Sequence, residues 1–441
     1  MQTDWQGVFC TTWITHIEDQ RHTLTCFTSN LPARFDVHED HFSLHPPVPD
    51  VGNDVYFIVL IYDYKLLEKI KMWVMNSNTL IVNREIHTLS FLRGTSALYV
   101  MLAHILIWGG YKGYFPNPKV AVDVFIFISG FLIATGLDSQ KTHLGDFYLK
   151  RFFRIAPAYY FTIAIITILY PFMRDGLTFI QSLDRTQWPV SGIYEATNVK
   201  YDLHNILMHI SFVFGLFPTY SQSSYIGDWS ISLEMQFYLV APFIFYYFKR
   251  TNAIITICIL AIIISIFAKE TAPLLKFREQ SLLIYKIHIF MLGAVTYEYL
   301  KACGSRKYIL FIIAVGIIAT QFWIQRYNVL SNNSSMYLIL TLALMSIKNK
   351  IDNLFNNFIV SFLSQISYSL YLIHGVFIAL SGYTYSFVYL DFKNEVPLLH
   401  FMAIITIPMS IICAYCMSRY IEKNGISFSK KLIRMKSQTT V

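Results

Sequence analysis

Ten apolar runs of membrane length follow one another along the 441 residues and restrict the fold more than any other feature. One crossing helix needs about 20 mostly apolar residues. The composition agrees, because 55% hydrophobic and only 14% charged residues are unusual for a soluble domain. The sequence therefore predicts an all-α integral membrane protein. The runs are residues 89–109, 120–137, 155–173, 229–248, 253–268, 282–300, 308–325, 335–347, 359–380 and 398–418.

A shorter apolar run at residues 204–218 (HNILMHISFVFGLFP) bears on the membrane topology. Lys and Arg near helix ends mark the cytoplasmic side. With the N-terminus inside and ten crossings, nearly every basic cluster falls on that side, whereas an eleventh crossing would move Lys249, Arg250 and all later clusters outside. We therefore predict a bundle of about ten transmembrane helices in the plasma (inner) membrane with both termini cytoplasmic. Residues 204–218 would add one re-entrant or interfacial helix.

The chain divides into three stretches by composition. Residues 1–85 are polar and mixed, and they form either a small cytoplasmic domain or a poorly ordered extension. The membrane domain is predicted at residues 86–425 and a basic cytoplasmic tail at 426–441, and no cleavable signal peptide is expected before the first apolar run. We expect no metal site, because the histidines around His38 and His41 lack a second ligand pair. The net charge of +8 reflects residues that flank apolar runs, so no nucleic-acid partner is expected.

Arg93 and His104 lie together in the first apolar run, SFLRGTSALYVMLAHILIW. On an α-helix their spacing places both side chains on one face, about 16 Å apart along the axis. Such residues inside a bilayer are costly unless they face a cavity or a partner, so they indicate a functional site. The alternative is an arginine that extends to the membrane surface and a histidine hydrogen-bonded in the bundle core. The spacing alone favours neither.

Arg151 and Arg154 share a helix face at the predicted cytoplasmic end of the third helix, in FYLKRFFRIAPAYY. Two guanidinium groups on one face can bind phosphate oxygens in a bidentate manner, and neither loses its charge. Anchoring at the cytoplasmic surface is the simpler interpretation of the pair taken alone. Pro157 predicts either a kink or the start of the helix at this point.

The second and fourth runs contain isolated acidic residues. Asp123 near the outer start of VAVDVFIFISGFLIA either caps that helix or pairs with a cation, and capping is favoured. Gly130 in the same run would allow another helix to approach closely. In GDWSISLEMQFYLVAP, Trp229 is expected at the outer interface with Glu234 about 8 Å deeper in the membrane.

Glu234 requires a buried partner, and His104 is predicted at a similar depth in the outer half of the bilayer. A carboxylate that holds one tautomer of an imidazole makes the histidine an effective general base. His288 and His374 reach a similar depth and compete for these roles. Each histidine taken alone is more often a hydrogen-bonded core residue.

Five motifs in a fixed order carry a resemblance to a known family. They are Arg93 with ten residues before His104, VDVFIFISGFLI, the block from Arg151 to Pro157, WSISLEMQFYLVAP and SYSLYLIH. On these motifs, residues 86–425 resemble the membrane acyltransferase-3 family, which includes bacterial O-antigen, capsule and exopolysaccharide O-acetyltransferases. The fold of that family is a bundle of about ten helices.

The resemblance implies transfer of an acyl group, usually acetyl, from cytoplasmic acetyl-CoA to a glycan hydroxyl across the membrane. Arg93, Arg151 and Arg154 would then bind the CoA phosphates. His104 would act as general base, with covalent transfer of the acyl group as the alternative, and Arg93 and Glu234 would complete the catalytic set. We expect acyl-CoA as a donor substrate, no bound cofactor, and a surface or lipid-linked glycan as acceptor. The further supporting residues that we predict are Asp123, Ser129, Trp229, Gln236, Tyr371 and His374.

The chain departs from the family pattern at two positions. Met235 stands where members often have a second glutamate, which removes any role that needs a second acid there, and Asn424 stands where they tend to have proline. The rival hypothesis is a membrane transporter or exporter of a glycan or small solute, in which intramembrane charges line a pathway. It is disfavoured because Arg93 and His104 share a face, as one elongated donor would need.

Overall fold

The computed structural model divides into two compact units, Met1–Met75 and Asn76–Val441. The boundary predicted after residue 85 stays a prediction. The structure describes residues 22–28, 31–38, 41–44, 86–111, 117–138, 143–183, 201–221, 223–224, 226–248, 250–277, 280–325, 334–392 and 396–439.

The first unit contains a small antiparallel sheet in the order β1-β2-β3. Its first strand, HTLTCFT, is rich in the β-branched and aromatic residues that favour extended structure. His38 pairs with His41 in the backbone register of the last two strands, but the side chains of the histidine group lie outside the described part of the structure. The strands are β1 (His22–Thr28), β2 (Leu31–His38) and β3 (His41–Leu44).

The described part of the second unit is helical. Two short 3₁₀ segments, Val213–Leu216 and Asp352–Phe355, and one π-helical segment, Ser418–Glu422, interrupt the α-helices. The α-helices are α1 (His87–Trp108), α2 (Lys119–Asp138), α3 (Leu144–Leu183), α4 (Leu203–Ile210), α5 (Trp229–Tyr247), α6 (Thr251–Leu275), α7 (Leu283–Lys301), α8 (Gly304–Gln325), α9 (Ser334–Ser346), α10 (Lys348–Ile351), α11 (Phe358–Phe392), α12 (Leu398–Met417) and α13 (Lys423–Thr439).

Each of the ten predicted apolar runs corresponds to a helix, and the all-α prediction for the membrane domain is confirmed. Seven helical stretches of the described residues are long and apolar enough to cross a membrane. Of the other three predicted crossings, α9 has only 13 residues, and α5 and α7 contain charged residues such as Glu234 and Lys286. The chain is therefore a multi-pass membrane protein, while the count of about ten crossings stays a prediction.

Two predicted helix boundaries differ from the structure. Helix α3 begins at Leu144, well before residue 155, so Pro157 lies inside the helix and the predicted start there is wrong. Hydropathy marks only the apolar part of a helix, whereas Asp146 in the first turn favours helix through the backbone dipole. Residues 204–218 form the eight-residue α4 and a 3₁₀ turn. At about 12 Å, α4 is too short to cross a bilayer, and its predicted re-entrant or interfacial placement stays a prediction.

Helix α11 packs along α1, α3 and α12, and α2 packs along α7. The predicted close approach at Gly130 is confirmed, because a Cβ atom there would lie 2.0 Å from the carbonyl oxygen of Phe290. Small residues permit such backbone contact between membrane helices. On the outside, α6 and α8 expose large apolar side chains such as Phe267 and Ile312, as expected for lipid-facing helices.

Candidate active site

A cavity lies among α1, α2, α3, α5, α11 and the π-helical segment. These helices meet there because α11 packs against both α1 and α3, and α2 packs against α1 and α5. The cavity therefore collects side chains that are far apart in sequence. Its lining consists of Arg93, Phe125, Ile128, Ser129, Leu132, Arg151, Arg154, Ile155, Ser230, Ile231, Glu234, Tyr238, Tyr368, Tyr371 and Glu422.

The three predicted donor-binding arginines all line this cavity. Arg93 comes from α1, and Arg151 and Arg154 come from one face of α3. The Arg151 guanidinium lies 5.6 Å from the ring centres of both Phe147 and Tyr238, within the range of favourable cation–π contact. These contacts hold a guanidinium at the cavity wall without neutralising its charge.

Two glutamates balance part of this positive charge. Glu234 on α5 accepts a hydrogen bond of 2.8 Å from the Ser129 hydroxyl and a second one from the Tyr238 hydroxyl. Glu422 accepts a hydrogen bond from the Ser369 hydroxyl and interacts electrostatically with Arg93. With three arginines against two glutamates, a single excess positive charge faces the cavity when both acids are ionised.

His104 pairs with another histidine, not with an acid. Its Nδ1 atom lies 2.9 Å from Nε2 of His374 on α11, and the two rings are nearly parallel. Glu234 accepts its hydrogen bonds from Ser129 and Tyr238, so of the candidate partners the structure pairs His104 with His374 and not with Glu234. The sequence predicts the depth of each residue in the membrane but not which helices are neighbours. In the structure α1 packs along α11, which brings His104 to His374.

Tyr371 lies between the cavity and the histidine pair. It lines the cavity, and its ring centre is 6.2 Å from that of His374. Its hydroxyl donates to the carbonyl of Gly227, so Ser230, whose hydroxyl lies 2.8 Å away, is the donor in their hydrogen bond. The described lining includes Tyr371 but neither histidine, so this tyrosine forms the wall between the arginines and His104.

Three other predicted supporting residues, Asp123, Trp229 and Gln236, do not line the cavity, whereas Ser129 does. Asp123 forms an ion pair of 2.7 Å with the Lys286 ammonium group, so the favoured capping role is wrong and the alternative cation pairing is correct. Both side chains are buried, which a charged group tolerates only with a partner. Trp229 is buried at the start of α5. The Gln236 amide donates to the backbone carbonyl of Ser281 at 2.8 Å and so joins α5 to the segment before α7.

His288 and His209 have structural hydrogen bonds. His288 bonds to Ser265 at 2.8 Å and to Gln321 at 2.7 Å, which places it in the bundle core. His209 lies 2.9 Å from the Ser223 hydroxyl and 3.0 Å from a carboxylate oxygen of Asp228.

The order Ser223, His209 and Asp228 resembles that of a nucleophilic triad, but Ser223 is only 2% exposed. Its hydroxyl also has the side-chain oxygen of Asn205 and the carbonyl of Tyr220 as acceptors. The cluster therefore stabilises the loop before α5 and is closed to a substrate.

Several cavity residues were not predicted from the sequence, chiefly Glu422, Tyr368, Tyr238 and Ser230. Glu422 faces the cavity from a π-helical segment, a local widening that is frequent at functional sites and has no simple sequence signature. Ser230 and Tyr238 lie within the motif around Glu234, one helical turn before and one turn after it. This spacing was the signal in the sequence that could have placed them on the same helix face.

A protein-family model for an acyltransferase domain matches residues 86–418. The chain belongs to the acyltransferase-3 family. The family predicted from the five motifs is thereby confirmed, and the match contains α1 to α12 and the start of the π-helical segment. All three arginines, both paired histidines and Glu234 lie within it, whereas Glu422 follows its end.

The curated relatives of this acyltransferase-3 chain include O-acetyltransferases. It is 28% identical over 151 residues to the peptidoglycan O-acetyltransferase OatA of Listeria monocytogenes, covering 33% of this chain and 22% of the relative. It is 25% identical over 385 residues to the O-acetyltransferase OatA of Staphylococcus aureus strain MRSA252, covering 79% and 59%. The chain thus spans less than two thirds of each relative. No solved structure matches it.

Proposed function

We propose that this protein is a membrane O-acetyltransferase that moves an acetyl group from cytoplasmic acetyl-CoA to a hydroxyl of a cell-surface polysaccharide. The observation that carries the proposal is the cavity in which Arg93, Arg151 and Arg154 converge. Family membership and the names of the relatives support acetyl transfer to oxygen. The basic clusters at helix ends support a plasma-membrane location with cytoplasmic termini.

The arginine cavity would bind the phosphates of the donor. Guanidinium groups bind phosphate oxygens through paired, charge-assisted hydrogen bonds. Before the donor binds, Glu234 and Glu422 interact electrostatically with Arg93. The donor phosphates replace this interaction when they bind. The donor's flexible arm then extends past Tyr371 toward His104.

His104 would act as general base for the transfer. Its ring accepts the proton of the acceptor hydroxyl as the hydroxyl oxygen attacks the thioester carbonyl carbon. The new oxygen–carbon bond forms, the carbon–sulfur bond breaks, and the departing CoA thiolate takes the proton back from His104. Direct transfer balances its atoms with one histidine, and no further reactant is needed.

The acceptor would be a glycan presented at the outer face, either on a lipid carrier or as assembled polysaccharide. O-antigen, capsule and exopolysaccharide are the acceptor classes of the family, and peptidoglycan is added by the name of one relative. A covalent product would exclude the rival transport hypothesis, since an exporter releases its substrate unchanged.

The first test compares His104→Ala with the wild type in the host. Proton NMR of purified surface polysaccharide follows the O-acetyl methyl signals, with equal membrane abundance of both proteins confirmed. We expect the signals to vanish in the variant. Identical glycan acetylation in both strains would contradict the proposal.

The second test measures donor binding by purified protein in lipid nanodiscs. Replacing Arg151 by Gln removes a charged hydrogen-bond donor, which should raise the apparent KM for acetyl-CoA by about 10- to 100-fold. Arg174→Gln is the matched control, because Arg174 lies on the same helix but is exposed and pairs with Asp175. Equal donor KM values for the two variants would refute the assignment of the cavity.

A further inference from the structure

His374 lies in the middle of a hydrogen-bond chain that starts at a backbone carbonyl. The Nδ1 atom of His374 is 3.1 Å from the carbonyl oxygen of Leu370, one turn earlier in α11. Its other nitrogen, Nε2, is 2.9 Å from Nδ1 of His104 on α1. The chain therefore runs from Leu370 through both rings and ends at Nε2 of His104.

The donors and acceptors in this chain follow from the first link. A carbonyl oxygen can only accept a hydrogen bond, so Nδ1 of His374 carries a proton. His374 is 2% exposed, and burial disfavours the doubly protonated, charged ring. Its Nε2 therefore has a free lone pair and accepts from Nδ1 of His104. Since a neutral imidazole has only one proton, Nε2 of His104 is left bare.

We propose that His374 is a positioning residue that fixes His104 in the tautomer with its proton on Nδ1, so that Nε2 is the atom that takes the proton of the acceptor hydroxyl. The inference rests on the proposed role of His104 as base. It gives His374 the function that a carboxylate has when it orients a catalytic histidine, without placing a second charge in the bundle.

The hydrogen-bond chain from the Leu370 carbonyl through His374 to His104 forms a relay, and this relay keeps its geometry during the reaction. When Nε2 of His104 has taken the hydroxyl proton, Nδ1 still donates to the neutral ring of His374 and the positive charge is stabilised by that hydrogen bond. The proton then leaves through Nε2, the only site that changes. With a proton on Nε2 of His374 instead, His104 would have to accept at Nδ1 and carry its own proton on Nε2, where it could no longer act as base.

The anchor of the relay belongs to the main chain. The Leu370 carbonyl is oriented by helix α11, so the backbone fixes the acceptor of the first link. Tyr371, the next residue, lines the arginine cavity. The helix that fixes the tautomer therefore also forms the wall along which the donor approaches.

Three variants in nanodiscs test the relay by kinetics. His374→Phe removes both nitrogens, and we expect kcat to fall by about 10²- to 10⁴-fold, the usual contribution of a general base, with the KM for acetyl-CoA unchanged. His374→Glu restores an acceptor near the former Nε2 and should recover about tenfold or more over His374→Phe. His288→Phe is the matched control, since it also removes a buried histidine with two hydrogen bonds but should keep kcat per folded protein.

A direct measurement of the tautomer needs no substrate. In histidine-labelled protein, nitrogen-15 NMR should show His104 with a protonated Nδ1 and a bare Nε2, and His374→Phe should change this pattern. A wild-type His104 with its proton on Nε2, or a His374→Phe variant with at least one tenth of the wild-type kcat, would overturn the relay. Absence of acetyl transfer by the wild type would instead refute the proposed function, and the NMR result would still test the tautomer.

Discussion

Gly130 and Gly293 each allow the backbones of α2 and α7 to approach closely, and replacing Gly130 by Ala should measure how strongly the bundle depends on this contact. A Cβ atom on Gly130 would lie 2.0 Å from the carbonyl oxygen of Phe290 and 2.8 Å from its carbon. A Cβ on Gly293 would meet the carbonyl oxygen of Phe127 at 2.0 Å in the same way. The obstacle is backbone at both positions, so no side chain can rotate away.

The expected cost follows from the displacement. Cβ atoms essentially never approach other heavy atoms closer than 3.0 Å, so the helices must separate by at least about 1 Å. Overpacking of this kind costs about 1–3 kcal/mol, against a helix-propensity gain of at most about 1 kcal/mol for alanine. Because that gain is largely lost in a membrane, where the unfolded helix stays helical, we expect Gly130→Ala to destabilise the protein by about 1–3 kcal/mol.

Unfolding in mixed detergent micelles, followed by circular dichroism, measures this difference. Gly316→Ala is the matched control, because it is also a helix glycine and a Cβ there would meet nothing within 4 Å. We expect the control to be neutral or slightly stabilised. Equal unfolding concentrations of denaturant for Gly130→Ala and Gly316→Ala would show that this backbone contact does not hold α2 to α7.

Two further predictions concern buried polar groups. Lys286→Met leaves Asp123 buried without its cation and should destabilise the protein by about 3–5 kcal/mol. Adding Asp123→Asn should recover most of that loss. Unfolding in detergent measures both variants, and no recovery in the double variant would contradict the pairing. Tyr159→Phe removes a buried donor to Asp228, 2.7 Å away, and should cost about 1–3 kcal/mol, more than Tyr160→Phe, whose hydroxyl bonds to a carbonyl at an exposed position.

The helices could be located from the sequence because the hydropathy of a segment depends only on the residues of that segment. Every predicted run is a helix. The spacing of Arg151 and Arg154 predicted one shared helix face, and both residues line the cavity. A run of apolar residues indicates that a segment contacts lipid or other helices, whichever helix its neighbour is. Helix ends were less accurate, as for α3, because polar first turns carry no hydropathy signal.

Partners across the bundle could not be predicted for the same reason. His104 and His374 are 270 residues apart, and Asp123 meets Lys286 only because α2 packs along α7. Depth within the membrane restricted His104 to a set of partners that included Glu234, His288 and His374. Choosing among them required the packing of α1 against α11, which depends on small residues such as Gly94, whose Cβ would meet the Leu363 side chain at 2.8 Å.

The loop before α5 connects stability with the candidate site. Asp228 accepts hydrogen bonds from Tyr159 and, at 2.5 Å, from Ser224, which holds the loop against α3. The preceding residue, Gly227, offers its carbonyl to Tyr371. The cluster around Asp228 fixes the Gly227 carbonyl, and this carbonyl orients the Tyr371 hydroxyl that bonds to it. The buried cluster therefore determines the position of Tyr371 between the arginines and the histidine pair. Loss of the cluster should therefore reduce the proposed acetyl transfer per folded protein as well as stability.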